Sequence, residues 1–178
     1  LKSQIDSNSS QMRGVFTYLS CASCHVDGGS DGRVWDFTGR GEGFRRTTDL
    51  RGRAGTGHGN VHWTGNFDEI QDFEHDIRGA FGGTGFLNLS PTEFAANHPS
   101  PATTKAGLSP DLDALAAYVT SLNQATIPRS PFRAADGALT PAAAAGRAIF
   151  LSLNCQQCHS GAALTDSAVT PVGAPLLH

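Results

Sequence analysis

Cys21-Ala22-Ser23-Cys24-His25 and Cys155-Gln156-Gln157-Cys158-His159 are two copies of C-x-x-C-H, the pattern by which a chain attaches a c-type haem covalently. Two thiols add across the two vinyl groups of one porphyrin, and the adjoining histidine supplies an imidazole to its iron. The motifs use all 4 cysteines of the 178-residue chain. Paired thiols also suit a four-cysteine zinc site or two small disulfides. Neither requires a histidine in the same place after both pairs, and zinc knuckles usually face each other across a short loop, not from opposite ends of a chain. The pattern therefore points to two haems, with Cys21, Cys24, Cys155 and Cys158 as thioether partners and His25 and His159 as proximal iron ligands.

Composition agrees with a cofactor-filled interior. Hydrophobic residues make up 39% of the chain, within the globular range, while aromatics are few and glycines number 21. A porphyrin is a large apolar disc, so a domain wrapped round it buries surface that its own side chains do not supply. The net charge of −3 gives no sign of a nucleic-acid or anionic-membrane surface. No stretch approaches the roughly 18 to 20 apolar residues needed to span a bilayer. The start at Leu1-Lys2-Ser3 lacks a charged and then apolar leader, which reads as a mature, soluble chain. Covalent haem attachment in bacteria takes place outside the cytoplasmic membrane, so the expected location is periplasmic or extracellular.

Helical punctuation places both motifs at helix ends. Met12, Val15, Phe16 and Leu19 fall on one face ahead of Cys21. Thr140 and Pro141 read as N-cap and first helical residue of an alanine-rich helix running through Ile149 and Phe150. Counted back from each first cysteine, Val15 matches Ile149, Phe16 matches Phe150 and Leu19 matches Leu153, the mark of a duplicated unit. A third helix is predicted over 110–122, capped by Ser109, with Leu112, Leu115, Ala116, Val119 and Leu122 as its apolar stripe. Most of the glycines lie between Gly28 and Gly85, a region read as loops over the haem faces with one helix over 68–78. The expected fold is mainly α, with a first c-type haem domain over 1–123, a Pro-containing linker over 124–139 and a second, incomplete haem domain over 140–178.

With His25 and His159 committed, His58, His62, His75, His98 and His178 remain as sixth-ligand candidates. The sole methionine, Met12, sits on the approach helix, badly placed for a distal face. Methionine ligation raises a haem potential, so its lack argues for lower-potential bis-His irons or an open sixth position. His62, in Val61-His62-Trp63-Thr64-Gly65, and His75 are the candidates for the first haem, with His58 or an open site as alternatives. His178 is the distal candidate in the second unit, and His98, beside Pro99, reads as a loop residue. Arg45, Arg46, Arg51 and Arg53 cluster around Asp49, and a guanidinium fork suits a haem propionate as well as a solvated charged loop. Glu69, Glu74 and Glu93 are of the type that acts as distal acid or base, although carboxylates of this kind are commonly on the surface.

Over nearly its whole length the chain resembles the di-haem cytochrome c peroxidase and MauG-like family. Arg46-Thr47-Thr48-Asp49-Leu50-Arg51-Gly52 resembles that family's T-P-S-L-R-G segment near the propionates, His62-Trp63-Thr64-Gly65 its H-D-G segment beside the distal face, and Cys158-His159-Ser160-Gly161 its second motif. The resemblance implies two helical cytochrome c domains whose haems exchange electrons, Arg51 near a propionate, and one haem that reacts with hydrogen peroxide while the other feeds it. It also allows a calcium ion between the haems, although no loop carries a recognisable calcium pattern. Single-electron transfer to redox protein partners or neighbouring haem subunits is the leading expectation, with assembly into an oligomer or larger complex. Peroxidase or oxidase chemistry is the alternative.

Overall fold

Local capping sets the helices where the sequence marks them. A computed structural model describes residues 20–38, 43–161 and 163–167. The helix expected ahead of Cys21, with Met12, and the distal candidate His178 lie outside the described residues. The first motif forms a single helical turn, α1 (Cys21–Cys24), followed by a 3-10 turn at Val26–Gly28. Next come β1 (Val34–Phe37) and β2 (Gly43–Arg46), an antiparallel pair with Val34 opposite Arg46 and Trp35 opposite Arg45. This hairpin lies where the sequence pattern predicts only loops. A 3-10 turn at Ile70–Asp72 leads into α2 (Phe73–Arg78), so the helix predicted over 68–78 is shorter and begins as a tighter spiral.

α3 (Pro91–Asn97) lies outside the predicted helices, yet Ser90-Pro91-Thr92-Glu93 is a capping box with proline in the first turn: the Ser90 hydroxyl accepts from Glu93 N–H at 3.3 Å, and the Glu93 carboxylate accepts from Ser90 N–H at 2.8 Å. α4 (Pro110–Ser121) starts as predicted, Ser109 accepting from Leu112 N–H, and ends with Leu122 as C-cap. α5 (Pro141–Ser152) is capped by Thr140 and delivers the second motif, whose Cys155–Gln157 form a 3-10 turn.

The apolar core belongs to the first unit. Leu87, Phe94, Leu112 and Leu115 form its cluster, with Phe86, Leu89 and Val119 packed against it. Leu122, also buried, closes on the first motif's loop at Gly28, whose φ is +74° and where a Cβ would sit 2.7 Å from a Leu122 methyl. Only glycine meets both conditions. α5 has no buried residue, and Ile149, Leu151 and Leu153 are exposed. Among the described residues nothing encloses that helix.

Polar ties replace missing apolar bulk. Lys105 and Asp72 are both fully buried; the ammonium donates to Asp72 Oδ1 at 2.5 Å and to the carbonyls of Thr103 and Pro101 at 2.7 and 3.2 Å. Burial nonetheless pushes the Asp72 carboxyl up to about 6 against the pull of that ammonium. Glu74, whose residue type suggests a surface carboxylate, is fully buried: it accepts from the N–H groups of Phe86 and Leu87 and from Arg78 Nε at 2.7 Å. Removing one partner of such a pair strands the other charge, a cost of about 3 to 5 kcal/mol. Lys105→Ala is expected to destabilise the protein on that scale in urea denaturation, and a loss below about 1 kcal/mol would show that Asp72 does not depend on it.

His75 and His98 flank Phe94, with ring centroids 4.9 and 5.4 Å from it. His75 Nε2 and His98 Nδ1 are buried with no hydrogen-bond partner. Burial first, then the Lys105 charge, holds both imidazoles below their ordinary 6.5, so the folded state keeps them neutral. The stability this provides is complete above that ordinary value and is lost as pH falls below it. Asp72, raised instead, acts with the opposite sign below about 6. The histidine contribution is therefore read as a difference: His98→Phe is expected to lose less stability than the parent between pH 7 and 5, and parallel profiles would contradict it.

Candidate functional site

Each C-x-x-C-H motif is folded so that its histidine is oriented by a main-chain carbonyl. His25 Nδ1 lies 2.9 Å from Thr48 O and 3.3 Å from Gly29 O. His159 Nδ1 lies 3.1 Å from Leu164 O. A ring nitrogen facing a carbonyl must be the protonated one, so in each neutral imidazole the lone pair falls on Nε2. That is the tautomer a metal-bound histidine adopts, its outer N–H held by a neighbouring acceptor. Thr48 does not stand out as a site residue in the sequence, because the atom that matters is its carbonyl and side-chain chemistry gives no signal for it.

The first motif's surroundings are built for this. Leu50 N–H donates to Gly28 O at 2.9 Å and Ser30 Oγ to Thr47 O at 2.8 Å, tying segment 46–52 back onto the turn after His25. Trp35 Nε1–H donates to Thr47 Oγ1, and Trp63 Nε1–H to Arg46 O, so hairpin and loop brace the same segment. Two cysteines three apart on a helical turn present both thiols to one side. None of the four cysteines is in a disulfide, and burial followed by the Asp31 carboxylate pushes the Cys24 thiol up. Among the described residues no three His, Cys, Asp or Glu side chains gather at one point, so the two thiol pairs do not converge as a four-cysteine zinc site requires. The residues present thus fit two separate c-type haem attachments.

The arginines and the remaining candidates are spread over several contacts. Arg51 forms a bidentate pair with Asp49, Nε to Oδ1 at 3.0 Å and Nη2 to Oδ2 at 2.6 Å, which holds the Asp49 carboxyl below the usual range. Its fork is therefore engaged by Asp49 in this structure, beside Gly29. Arg45 and Arg46 lie on β2, Arg45 Nη1 donating to Phe44 O, and Arg53 donates to Asp49 O and to His58 Nε2. His75 packs on Phe94 in the cluster with His98, and the structure does not bring it together with His62 or His25. Glu69 and Glu93 hold backbone N–H groups of Lys105 and Ser90.

His62 is the most constrained of the candidates. Its φ is +73°, a left-handed conformation that costs a bulky residue about 1 to 3 kcal/mol and persists only where its surroundings fix it. Nδ1 lies 2.9 Å from Asn66 Oδ1, which also accepts from Thr64 Oγ1, and Nε2 lies 3.3 Å from Asp76 Oδ2. The ring stacks on Phe67 at 5.0 Å and meets Phe73 edge-on at 5.8 Å. Since Asn66 Oδ1 is an acceptor, Nδ1 donates to it, and Nε2 is left facing the Asp76 carboxylate. Asp76 is a contact of His62 that the sequence does not reveal, being separated from it by a loop and a turn.

No family model and no solved structure matches the chain. Among curated proteins, it is 33% identical over 148 residues to hydrazine synthase subunit gamma of Kuenenia stuttgartiensis. The aligned stretch takes in 80% of this chain and 37% of that relative, so the chain spans little more than a third of the relative's length. No helix among the described residues is long and apolar enough to cross a membrane.

A separate haem on each motif would have a direct consequence. Replacing Cys21 and Cys24 by alanine is expected to lower the intact mass of the purified protein by one haem and to leave the second attached. The Cys155, Cys158 double variant is expected to do the converse. Loss of both haems from either variant would contradict two separate sites.

Proposed function

We propose that this chain is a di-haem c-type cytochrome, or a haem-bearing part of a larger one, that passes single electrons. Two cytochrome c-like units would carry the haems through Cys21, Cys24 and His25 and through Cys155, Cys158 and His159. The observation that carries the reading is the repeated support of the histidines: in both motifs Nδ1–H is committed to a main-chain carbonyl, which leaves the lone pair of Nε2 as the atom that would hold an iron. A bound haem supplies a reversible one-electron iron couple. The chain's own residues orient the imidazoles, the carbonyls of Thr48 and Leu164 fixing each ring through Nδ1–H. The likeness to di-haem cytochrome c peroxidases and MauG-like proteins supports the same organisation, and a periplasmic or extracellular location goes with it.

The relative's name is that of one subunit of an enzyme, and this supports a role beside other chains, as a redox partner or as a neighbouring haem subunit. It also gives weight to a second reading, in which one haem reacts with a small molecule such as hydrogen peroxide. The specific observation in favour is the His62 and Asp76 pair: a histidine and a carboxylate 3.3 Å apart, each side chain largely shielded from water, are of the types that give and retrieve a proton during bond cleavage.

One measurement separates the readings. Electron paramagnetic resonance of the protein as isolated and half-reduced, with haem and iron quantified, is expected to give two haems per chain and low-spin ferric signals that peroxide leaves unchanged. A high-spin signal that peroxide abolishes would replace the carrier with the enzyme. A preparation without haem would overturn both.

A further inference from the structure

The segment after the second motif does more than orient His159. From His159 the chain turns back through Leu164, which holds a left-handed φ of +54°, and Thr165, whose N–H donates to Ser160 O at 3.0 Å. Thr165 Oγ1 accepts from Ser167 N–H at 3.2 Å. Ser167 then reaches the first unit: its hydroxyl donates to His58 O at 3.1 Å, and its carbonyl accepts from Asn60 N–H at 3.4 Å. The contact joins the turn that fixes the second proximal histidine to the loop leading into His62.

Asn60 carries the contact onward. Its backbone faces Ser167, while its side-chain amide donates to Gly65 O at 3.0 Å. Gly65 N–H in turn donates to His62 O at 3.2 Å, closing the tight turn in which His62 holds its positive φ. Val61 N–H pairs with Phe67 O at 2.8 Å across the base of that turn. At the other end, His58 rests on Arg53 through both ring nitrogens, at 3.3 and 3.4 Å. The loop is thus pinned at its base by the bridge and by Arg53, and at its flank by Ser167. A left-handed backbone at a histidine is held only by such external contacts.

We propose that Ser167 is a positioning residue for His62, acting across the two units through His58 and Asn60 so that the second haem segment sets the environment of the first haem. This rests on the di-haem reading and goes beyond it by assigning a route between the units. A hydroxyl fits because it donates to a carbonyl while its own backbone carbonyl accepts, a two-point clasp that alanine halves and threonine keeps.

The test compares Ser167→Ala and Ser167→Thr with the parent as holoproteins, by electron paramagnetic resonance with haem count and thermal melting alongside. With two haems bound and the melt unchanged, the alanine variant is expected to shift the g values or raise the high-spin fraction of the first haem, at least doubling any minor spin species, while the threonine variant restores the parent spectrum. The signals are assigned with the Cys155, Cys158 double variant, which retains only the first haem. Identical first-haem spectra in all three proteins would overturn the proposal and leave the haem reading standing; a chain that binds no haem would overturn the haem reading itself.

Discussion

The first unit depends on carboxylates set along one short segment, with Asp72, Glu74 and Asp76 buried. Between Glu69 and Asp76 the chain makes a 3-10 turn and then enters α2, and four acidic side chains leave it in different directions. Glu69 receives Lys105 N–H, Asp72 receives the Lys105 ammonium, Glu74 receives the Phe86 and Leu87 amides, and Asp76 meets His62. Each contact ties a segment outside α2 back to this stretch. In a glycine-rich chain, ordering a loop costs backbone entropy that hydrophobic burial alone does not offset here. Charge-assisted bonds to buried carboxylates, stronger than neutral ones, make up part of the difference.

Such an arrangement is only partly legible in the sequence. Helices α4 and α5 announce themselves through adjacent residues, Ser109-Pro110 and Thr140-Pro141, because capping is settled within one turn. The same local signal stands at Ser90-Pro91-Thr92-Glu93 and marks α3. The hairpin is hidden because Val34-Trp35-Asp36-Phe37 is a short alternation whose partner, Gly43-Phe44-Arg45-Arg46, looks like a charged loop. Glu74 is concealed for a different reason: its burial depends on amides at Phe86 and Leu87 that local sequence does not connect to it.

The motifs are the reverse case. C-x-x-C-H marks the candidate attaching atoms, but the tautomer that each histidine adopts depends on carbonyls at Thr48 and Leu164, one distant in sequence and one close. The two units reach the same support by different routes: a return loop braced by Trp35 and Trp63 in the first, a tight left-handed turn in the second. The duplication visible ahead of the cysteines therefore stops at the motifs themselves.

His62 shows why residue type alone leaves its role open. As an iron ligand it must offer a lone pair from Nε2, and as a proton donor it must keep a proton there; one nitrogen serves only one of these at a time. Nδ1 is committed to Asn66 in either case, because Asn66 Oδ1 is already marked as an acceptor by Thr64. The choice reduces to whether Nε2 faces Asp76 or iron, and in this structure it faces Asp76. The aromatic rings of Phe67 and Phe73 flank the imidazole beside that contact. In the proposed readings, ligation and acid chemistry at His62 would compete for one nitrogen, and the imidazole within reach of Asp76 sits on a backbone held at a positive φ.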